Sequence, residues 1–241
     1  MHSLSIIIPA YNEEKRLPPT LERLISWTSG RTWRFLEILV VDDGSRDGTA
    51  ALVRQYAGRH PQLKLVANPG NRGKGYAVRN GMLHAQGDWR LFTDSDLSSP
   101  IEEFDKLMEA AQREDADVAF GSRAVDRSLV SVHQSAFREA SGRFFNLVMR
   151  VAMGLPHHDT QCGFKLYSSA AAQKIFARQQ IEGFGFDVED LFLARKLGFR
   201  AVEVPVRWAN VEGTRVSMVS GLRAFTDLAL IRWYQIQGRY R

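Results

Sequence analysis

In the segment LFTDSDLSSP, the short apolar run Leu91–Thr93 is followed at once by Asp94, Ser95 and Asp96, so the end of a strand can present two carboxylates together. Hard divalent cations take oxygen ligands, and Mg²⁺ is typically held by one or two carboxylates plus substrate phosphates. Asp94 and Asp96 are therefore candidate ligands for a metal that also meets a diphosphate. Alone, an Asp-x-Asp step is more often a surface turn whose carboxylates cap backbone donors. Two further clusters change that balance: Tyr11-Asn12-Glu13 after SIIIPA, and Asp42-Asp43-Gly44-Ser45 after ILVV. Asp42 or Asp43 can accept hydrogen bonds from a base N–H or a ribose hydroxyl, while an Asp-Gly turn with Ser45 or Asp47 as a helix N-cap is the plainer reading of the same residues. In NPGNRGKGYAVRNG, glycines at 70, 73 and 75 stand among Arg72, Lys74 and Arg79. Such a turn at a helix N-terminus is expected to expose backbone donors to phosphate. It is neither GxxxxGK[ST] nor GxGxxG, which disfavours nucleoside triphosphatases and dinucleotide dehydrogenases.

These clusters need a scaffold that carries them to one place. Short β-branched or apolar runs alternate with segments of helical period, the pattern of βαβ units and a mainly parallel sheet flanked by helices. Strands are predicted at Ser5–Pro9, Leu36–Val41, Lys64–Ala67, Trp89–Thr93, Val118–Gly121 and Ala201–Val206, and helices near Pro19–Ser29, Gly48–Arg59, Gly73–Ala85 and Pro100–Glu114. Ser99 before Pro100 predicts an N-cap with proline at the first helical position, and Glu102 and Glu103 fall in the first turn, where acids are favoured. In open parallel sheets ligands bind outside the carboxyl ends of the strands, so the three clusters are expected to converge on one rim.

The chain has 241 residues, 44% of them hydrophobic, and no Pro/Gly/Ser-rich linker or repeat divides it, so one α/β domain over 1–241 is expected. Its net charge of +5 suits an anionic partner. The lone Cys162 excludes an intramolecular disulfide framework, no signal-peptide pattern precedes the first strand, and a cytoplasmic location is expected. No apolar run reaches the ~20 residues that span a bilayer, so membrane contact is expected to be peripheral, on the cytoplasmic face. The closing segment has Met218, Leu222, Phe225, Ala229, Trp233 and Ile236 at helical spacing, interspersed with Arg223, Arg232, Arg239 and Arg241. This is an amphipathic helix that either packs on the core or lies at a membrane interface with Trp233 and Tyr234 at headgroup level. Nucleic-acid binding rests on charge alone, without aromatic platforms or a known module, and is not expected.

Taken together and in order, SIIIPAYNEE, VVDDGSRDGT, GNRGKGYAVRNGM and FTDSDLSSP resemble the nucleotide-sugar half of the inverting family 2 glycosyltransferases of GT-A fold. The resemblance implies that residues 1–123 bind the nucleotide sugar: Pro9, Tyr11 and Glu13 line the nucleoside, Asp42 meets the base with Asp43 beside it, Lys74 lies near, Asp94 and Ser95 reach the ribose, and Asp96 binds Mg²⁺ or Mn²⁺. DTQCGFKLY, FGFDVEDLFLARKLGF and VEVPVRWANVEGTRV are similar to polyprenyl-phosphate hexosyltransferases, most closely the dolichyl-phosphate β-glucosyltransferases. This implies an acceptor half over 124–213 and a C-terminal helix over 214–241, with UDP-glucose as donor and a polyprenyl phosphate as acceptor; GDP-mannose is the donor of related synthases. It also implies that Gln161 approaches the metal and that Arg123 and Arg138 hold the acceptor phosphate, a task suited to the planar guanidinium fork. Ser98 stands where some mannose synthases present a glutamine ligand. The glucosyl relatives are expected to carry an N-terminal anchor that has no counterpart here, so the lipid is expected to be reached from the membrane surface or through a partner.

The acceptor decides the chemistry. A phosphate monoester is largely ionised at neutral pH, its second pKa being about 6, and needs no strong base. A sugar hydroxyl needs one, and Asp187, Glu189 and Asp190 are the candidates. On a helix Asp187 and Asp190 share a face at i,i+3 while Glu189 points elsewhere, and EDLFLARKLGF resembles the base-bearing segment of polysaccharide-forming relatives, which keeps Asp190 open as a base. A sugar-nucleotide-binding module without catalysis is the alternative of another class. The presence of Asp94, Asp96, Gln161 and Arg138 weighs against it, since binding alone requires no acceptor-phosphate site.

Overall fold

Strand β1 (His2–Ala10) is the spine of the sheet, and Leu4, Ile6, Ile7 and Ile8 on it are fully buried. A strand apolar on both faces must be covered on both, which an α/β/α layering achieves. A computed structural model describes residues 1–132, 147–210 and 218–241. Seven strands form one sheet in the order β3 (Leu63–Ala67), β2 (Trp33–Asp42), β1, β4 (Trp89–Thr93), β7 (Phe164–Ser168), β5 (Val118–Ser122) and β8 (Ala201–Pro205). All six predicted strands are present, and strands from before and after residue 123 share the sheet.

Helices α1 (Leu17–Ser29), α2 (Thr49–Ala57) and α4 (Phe104–Arg113) bury Leu21, Val53 and Leu107 against one face. The other face is covered by α3 (Lys74–His84), α5 (147–153), α6 (Ser169–Arg178), α7 (Phe186–Lys196) and α8 (Met218–Ile236), through residues such as Val78, Met149, Ile175, Leu193 and Ile231. Pro100 does not open an α-helix. It is extended at ψ 142° before a 3-10 turn, Ile101–Glu103, and Ser99 caps nothing, its hydroxyl lying 4.0 Å from the Cys162 sulfur.

Strand β7, FKLYS, is a seventh strand beyond the six expected. It runs antiparallel to both β4 and β5, with Thr93 paired to Phe164. That register has a consequence for function. An antiparallel neighbour enters where β4 exits, so 161–163 lie beside Asp94, and Asp94 N–H donates to Gly163 O at 3.2 Å. A short parallel ribbon of β6 (Val130–Val132) and β9 (Trp208–Ala209) closes the same rim, where Ala209 N–H donates to Ser98 O at 2.9 Å.

Candidate active site

The loops after β1 and β2 are knitted together before any ligand is considered. Asn12 N–H donates to Ser45 Oγ at 2.9 Å, Arg46 N–H to Asn12 Oδ1 at 2.7 Å, and Glu13 N–H to Thr49 Oγ1 at 2.8 Å. The carboxylate of Glu13 is bound by Arg16, with Nε 2.7 Å from Oε2. Pro9 and Tyr11 are half-buried at this rim, and Asp42 is buried, accepting Ser45 N–H at 3.1 Å.

Asp43 sets the glycine-rich turn. Its carboxylate accepts the N–H groups of Arg72 at 3.1 Å and Gly73 at 2.7 Å and the side-chain amide of Asn68 at 2.7 Å. The turn's amides at 72 and 73 therefore point at a carboxylate of the protein and do not face outward for a phosphate, as its glycine pattern had suggested. Gly44, at φ +72°, abuts the backbone of Gly70 and Asn71, where a Cβ would collide. Ser45 is not the N-cap of α2, and Asp47, whose Oδ1 accepts Thr49 N–H at 3.0 Å, stands one residue before the cap position. That position is Gly48, whose N–H donates to Glu14 Oε2 at 2.9 Å.

The Lys74 ammonium lies 2.7 Å from Asp94 Oδ1 and faces the rings of Phe92, Phe184 and Phe186. Burial alone would lower its pKa, but Asp94, Asp187 and Asp96 outweigh that and raise it, so Lys74 is a fixed cation. Asp94 leans over Gly163, where any Cβ would strike its carboxylate. Asp96 Oδ1 accepts the N–H of Ser98 at 3.0 Å and its hydroxyl at 2.8 Å, closing an Asx turn through Leu97 at φ +48°. No donor among the described residues reaches Asp96 Oδ2. Half-buried Ser95 offers its carbonyl to Thr20 Oγ1 at 2.6 Å. Gln161 is half-buried two residues before Gly163, with its N–H on Asp159 Oδ1 at 3.2 Å. No group of three or more His, Cys, Asp or Glu side chains forms a metal cluster among the described residues. Two adjacent carboxylates, one oxygen of which meets no donor among the described residues, nonetheless fit a hard cation that completes its shell with substrate phosphates.

Behind this rim sits a buried charge cluster that sequence reasoning missed. Lys165, fully buried in β7, places its ammonium 2.8 Å from Asp187 Oδ1 and 3.1 Å from Asp190 Oδ2, and donates to the Asp187 carbonyl at 2.8 Å. Tyr167 O–H donates to Asp190 Oδ2 at 2.5 Å. Burial raises both carboxyls, Asp190 to about 7, while their charges raise Lys165. Glu189 turns the other way and accepts Gln180 N–H, Ile181 N–H and Tyr240 O–H. Asp187 and Asp190 do share a face, but Asp190 lies beneath the site. The signal available in the sequence was Lys165 itself, since a lysine inside an apolar strand requires a carboxylate partner.

Arg123 grips Asp159 with Nε at 2.7 Å and Nη2 at 2.9 Å, stands over the Trp208 ring, and keeps Nη1 uncommitted to that pair. Arg138 lies outside the described residues. Of the C-terminal stripe, Met218, Leu222 and Phe225 have side chains outside those described; Ala229, Trp233 and Ile236 are exposed, the last two at 55% and 79%. Leu228 and Ile231 make the contact with the core instead, so α8 is apolar on its inner and outer faces alike. Midway along it, Gly185 N–H, just before α7, donates to Asp227 Oδ2 at 3.1 Å.

The profile described as Glycosyl transferase family 2 matches residues 5–176. The chain belongs to that family. Among its relatives are the dolichyl-phosphate beta-glucosyltransferases of Drosophila melanogaster, 36% identical over 99% of this chain and 77% of that protein, and of Saccharomyces cerevisiae, 34% identical over 99% and 76%. The glycosyltransferase shares its fold with mannosyl-3-phosphoglycerate synthase from Rubrobacter xylanophilus, with TM-score 0.70 and 15% identity over 99% of this chain and 75% of that one. Glucosyl-3-phosphoglycerate synthase from Mycobacterium tuberculosis, in complex with Mn²⁺ and UDP-glucose, aligns with TM-score 0.67 and 18% identity over 95% and 79%. The fold is thus GT-A, and the chain is a hexosyltransferase. Among the described residues no helix is long and apolar enough to cross a membrane.

Proposed function

We propose that this glycosyltransferase moves glucose from UDP-glucose to a polyprenyl phosphate with inversion at the anomeric carbon. The observation that carries the reading is the burial of Asp190, held by Lys165 and Tyr167 and out of reach of an acceptor. Asp187 is ion-paired to the same lysine, so neither of these two acids is free to serve a hydroxyl acceptor as base, whereas a phosphate acceptor requires none. The relatives named dolichyl-phosphate beta-glucosyltransferases support that acceptor class, and the Mn²⁺ and UDP-glucose complex of a structural neighbour supports the donor.

In this reading Asp42 accepts from the base, Pro9, Tyr11 and the Glu13 loop line the nucleoside, Asp94 and Ser95 meet the ribose, and Asp43 holds the 70–73 turn in place. A phosphate oxygen attacks C1 of the sugar from the face opposite the leaving group; the bond from C1 to the diphosphate oxygen breaks and its electron pair departs with UDP. Lys74 supplies fixed positive charge beside the leaving group. Asp96, with Asp94 and Gln161 beside it, would hold Mg²⁺ or Mn²⁺, which stabilises charge developing on the diphosphate. Arg123, oriented by Asp159, offers Nη1 to the acceptor phosphate, and Arg138 is assigned the same task from the sequence. The outward stripe of α8 supports a peripheral position on a membrane surface, with Trp233 and Ile236 in the headgroup layer.

The test is a transfer assay that offers UDP-glucose and GDP-mannose, each with a polyprenyl phosphate and with a sugar acceptor, in Mn²⁺ or Mg²⁺. Glucosylated polyprenyl phosphate is expected. Transfer only to the sugar acceptor overturns the reading.

A further inference from the structure

At the end of α7 farthest from Asp187, a groove of about 340 Å³ opens between α5, α7 and α8, lined by Met153, Phe192, Arg195, Lys196, Arg232 and Gln235. Its three cationic side chains are exposed, and none has a carboxylate partner among the described residues. Their bonds run to neutral acceptors: Arg195 to Gly154 O, and Arg232 to Ala152 O at 2.9 Å and Gln235 Oε1 at 2.9 Å. The Arg232 guanidinium also lies 5.6 Å from the Phe192 ring centroid. The rest of the molecule pairs many of its surface arginines with acids, as in Arg23–Glu102, Arg31–Asp105 and Arg207–Glu103. Three cations with no carboxylate partner among the described residues, around an apolar floor, therefore make a concave site that favours an anion.

The surroundings say which anion. Arg232 and Gln235 sit beside Trp233 and Ile236 on the outward row of α8. The opposite wall continues from Val151, which is 74% exposed on α5. Exposed apolar rows on both sides of a basic groove match a bilayer surface, where acyl chains begin beneath a plane of phosphates. We propose that this groove seats the headgroup phosphate of an anionic phospholipid, distinct from the acceptor lipid. The proposal rests on the reading of α8 as a membrane-contact helix. The α8 axis then runs along the bilayer from Asp227, which meets the start of α7, to an electrostatic anchor at Arg232. The anchor fixes how the active site meets the surface.

The experiment is flotation of the full chain with vesicles of phosphatidylcholine and of phosphatidylcholine mixed with phosphatidylglycerol. Tighter binding to the anionic vesicles is expected, weakened by salt. Arg195→Gln/Lys196→Gln/Arg232→Gln is expected to lose that preference, at about fivefold per charge removed, while neutral-vesicle binding persists. Lys196→Glu, at an exposed helix end where folding is not at stake, is expected to do the same in smaller measure. By contrast, Trp233→Ser/Ile236→Ser should weaken binding to both vesicle types. An anionic preference unchanged in the triple variant and in Lys196→Glu overturns the groove alone and leaves the function standing. Wild-type binding to neither vesicle overturns the membrane contact and the groove with it, and transfer to a short, water-soluble isoprenyl phosphate then reports the proposed function separately. Saturable binding of inorganic phosphate, lost in the triple variant and without any anionic-vesicle preference, reassigns the groove to a soluble anion and overturns the proposal.

Discussion

Lys165 and Asp190 lie 3.1 Å apart with both side chains fully buried, so the carboxylate with the best sequence claim to be a base is held by a lysine that had no assigned role. Removing one member of a buried pair leaves the other charge uncompensated, at a cost of about 3–5 kcal/mol. Here two carboxylates depend on one ammonium. Lys165→Met should lower unfolding free energy by about that amount in urea titration, and adding Asp190→Asn should recover part of it.

The pH dependence of stability follows from the same cluster. Asp190 has its folded pKa raised to about 7, above an unfolded value of about 4, so folding favours its neutral form. Between those values the unfolded chain binds fewer protons, and Asp190 makes stability fall as pH rises from about 4 to about 7. Below that window its contribution is fully retained. Asp190→Asn removes the titration, so the stability difference between variant and wild type should shift toward the variant across this window, by a few kcal/mol at most. Parallel curves from denaturant titrations at pH 4 to 7 would contradict it.

Asp43 accepts two backbone N–H groups of the 70–73 turn. Asp43→Ala orphans them, at about 1–3 kcal/mol per group when buried. Because the turn leads into Lys74, donor KM should rise about tenfold with a smaller fall in kcat. A normal KM together with an unchanged melting temperature would show that the turn holds its shape without the carboxylate.

Asp96 combines an oxygen fixed by Ser98 with one that meets no donor among the described residues. Asp96→Ala should reduce kcat by about 10²–10³ or more and abolish the response to Mn²⁺. Ser98→Ala loosens the carboxylate without removing it and should cost about fivefold, the worth of one hydrogen bond of about 1 kcal/mol. Steady-state kinetics across a metal titration separate the two.

The amino-acid sequence alone determined the six strands whose short β-branched or apolar segments alternate with helical ones, and the placing of three polar clusters at strand ends, because residue patterning and turn chemistry are local properties. It also carried the stripe on α8, since helical spacing needs no tertiary knowledge. Which side of that stripe faces the core was decided by packing: Leu228 and Ile231, between the stripe positions, reach the sheet layer and leave Trp233 and Ile236 outside. Strand β7 was decided in the same way. Its direction, and with it the approach of Gly163 to Asp94, depends on pairing with β4, a contact across some 70 residues of chain that no local pattern encodes. Helical spacing separated Glu189 from Asp187 and Asp190, but what each acid does was tertiary, because Lys165, Tyr167 and Tyr240 arrive from other elements to claim them.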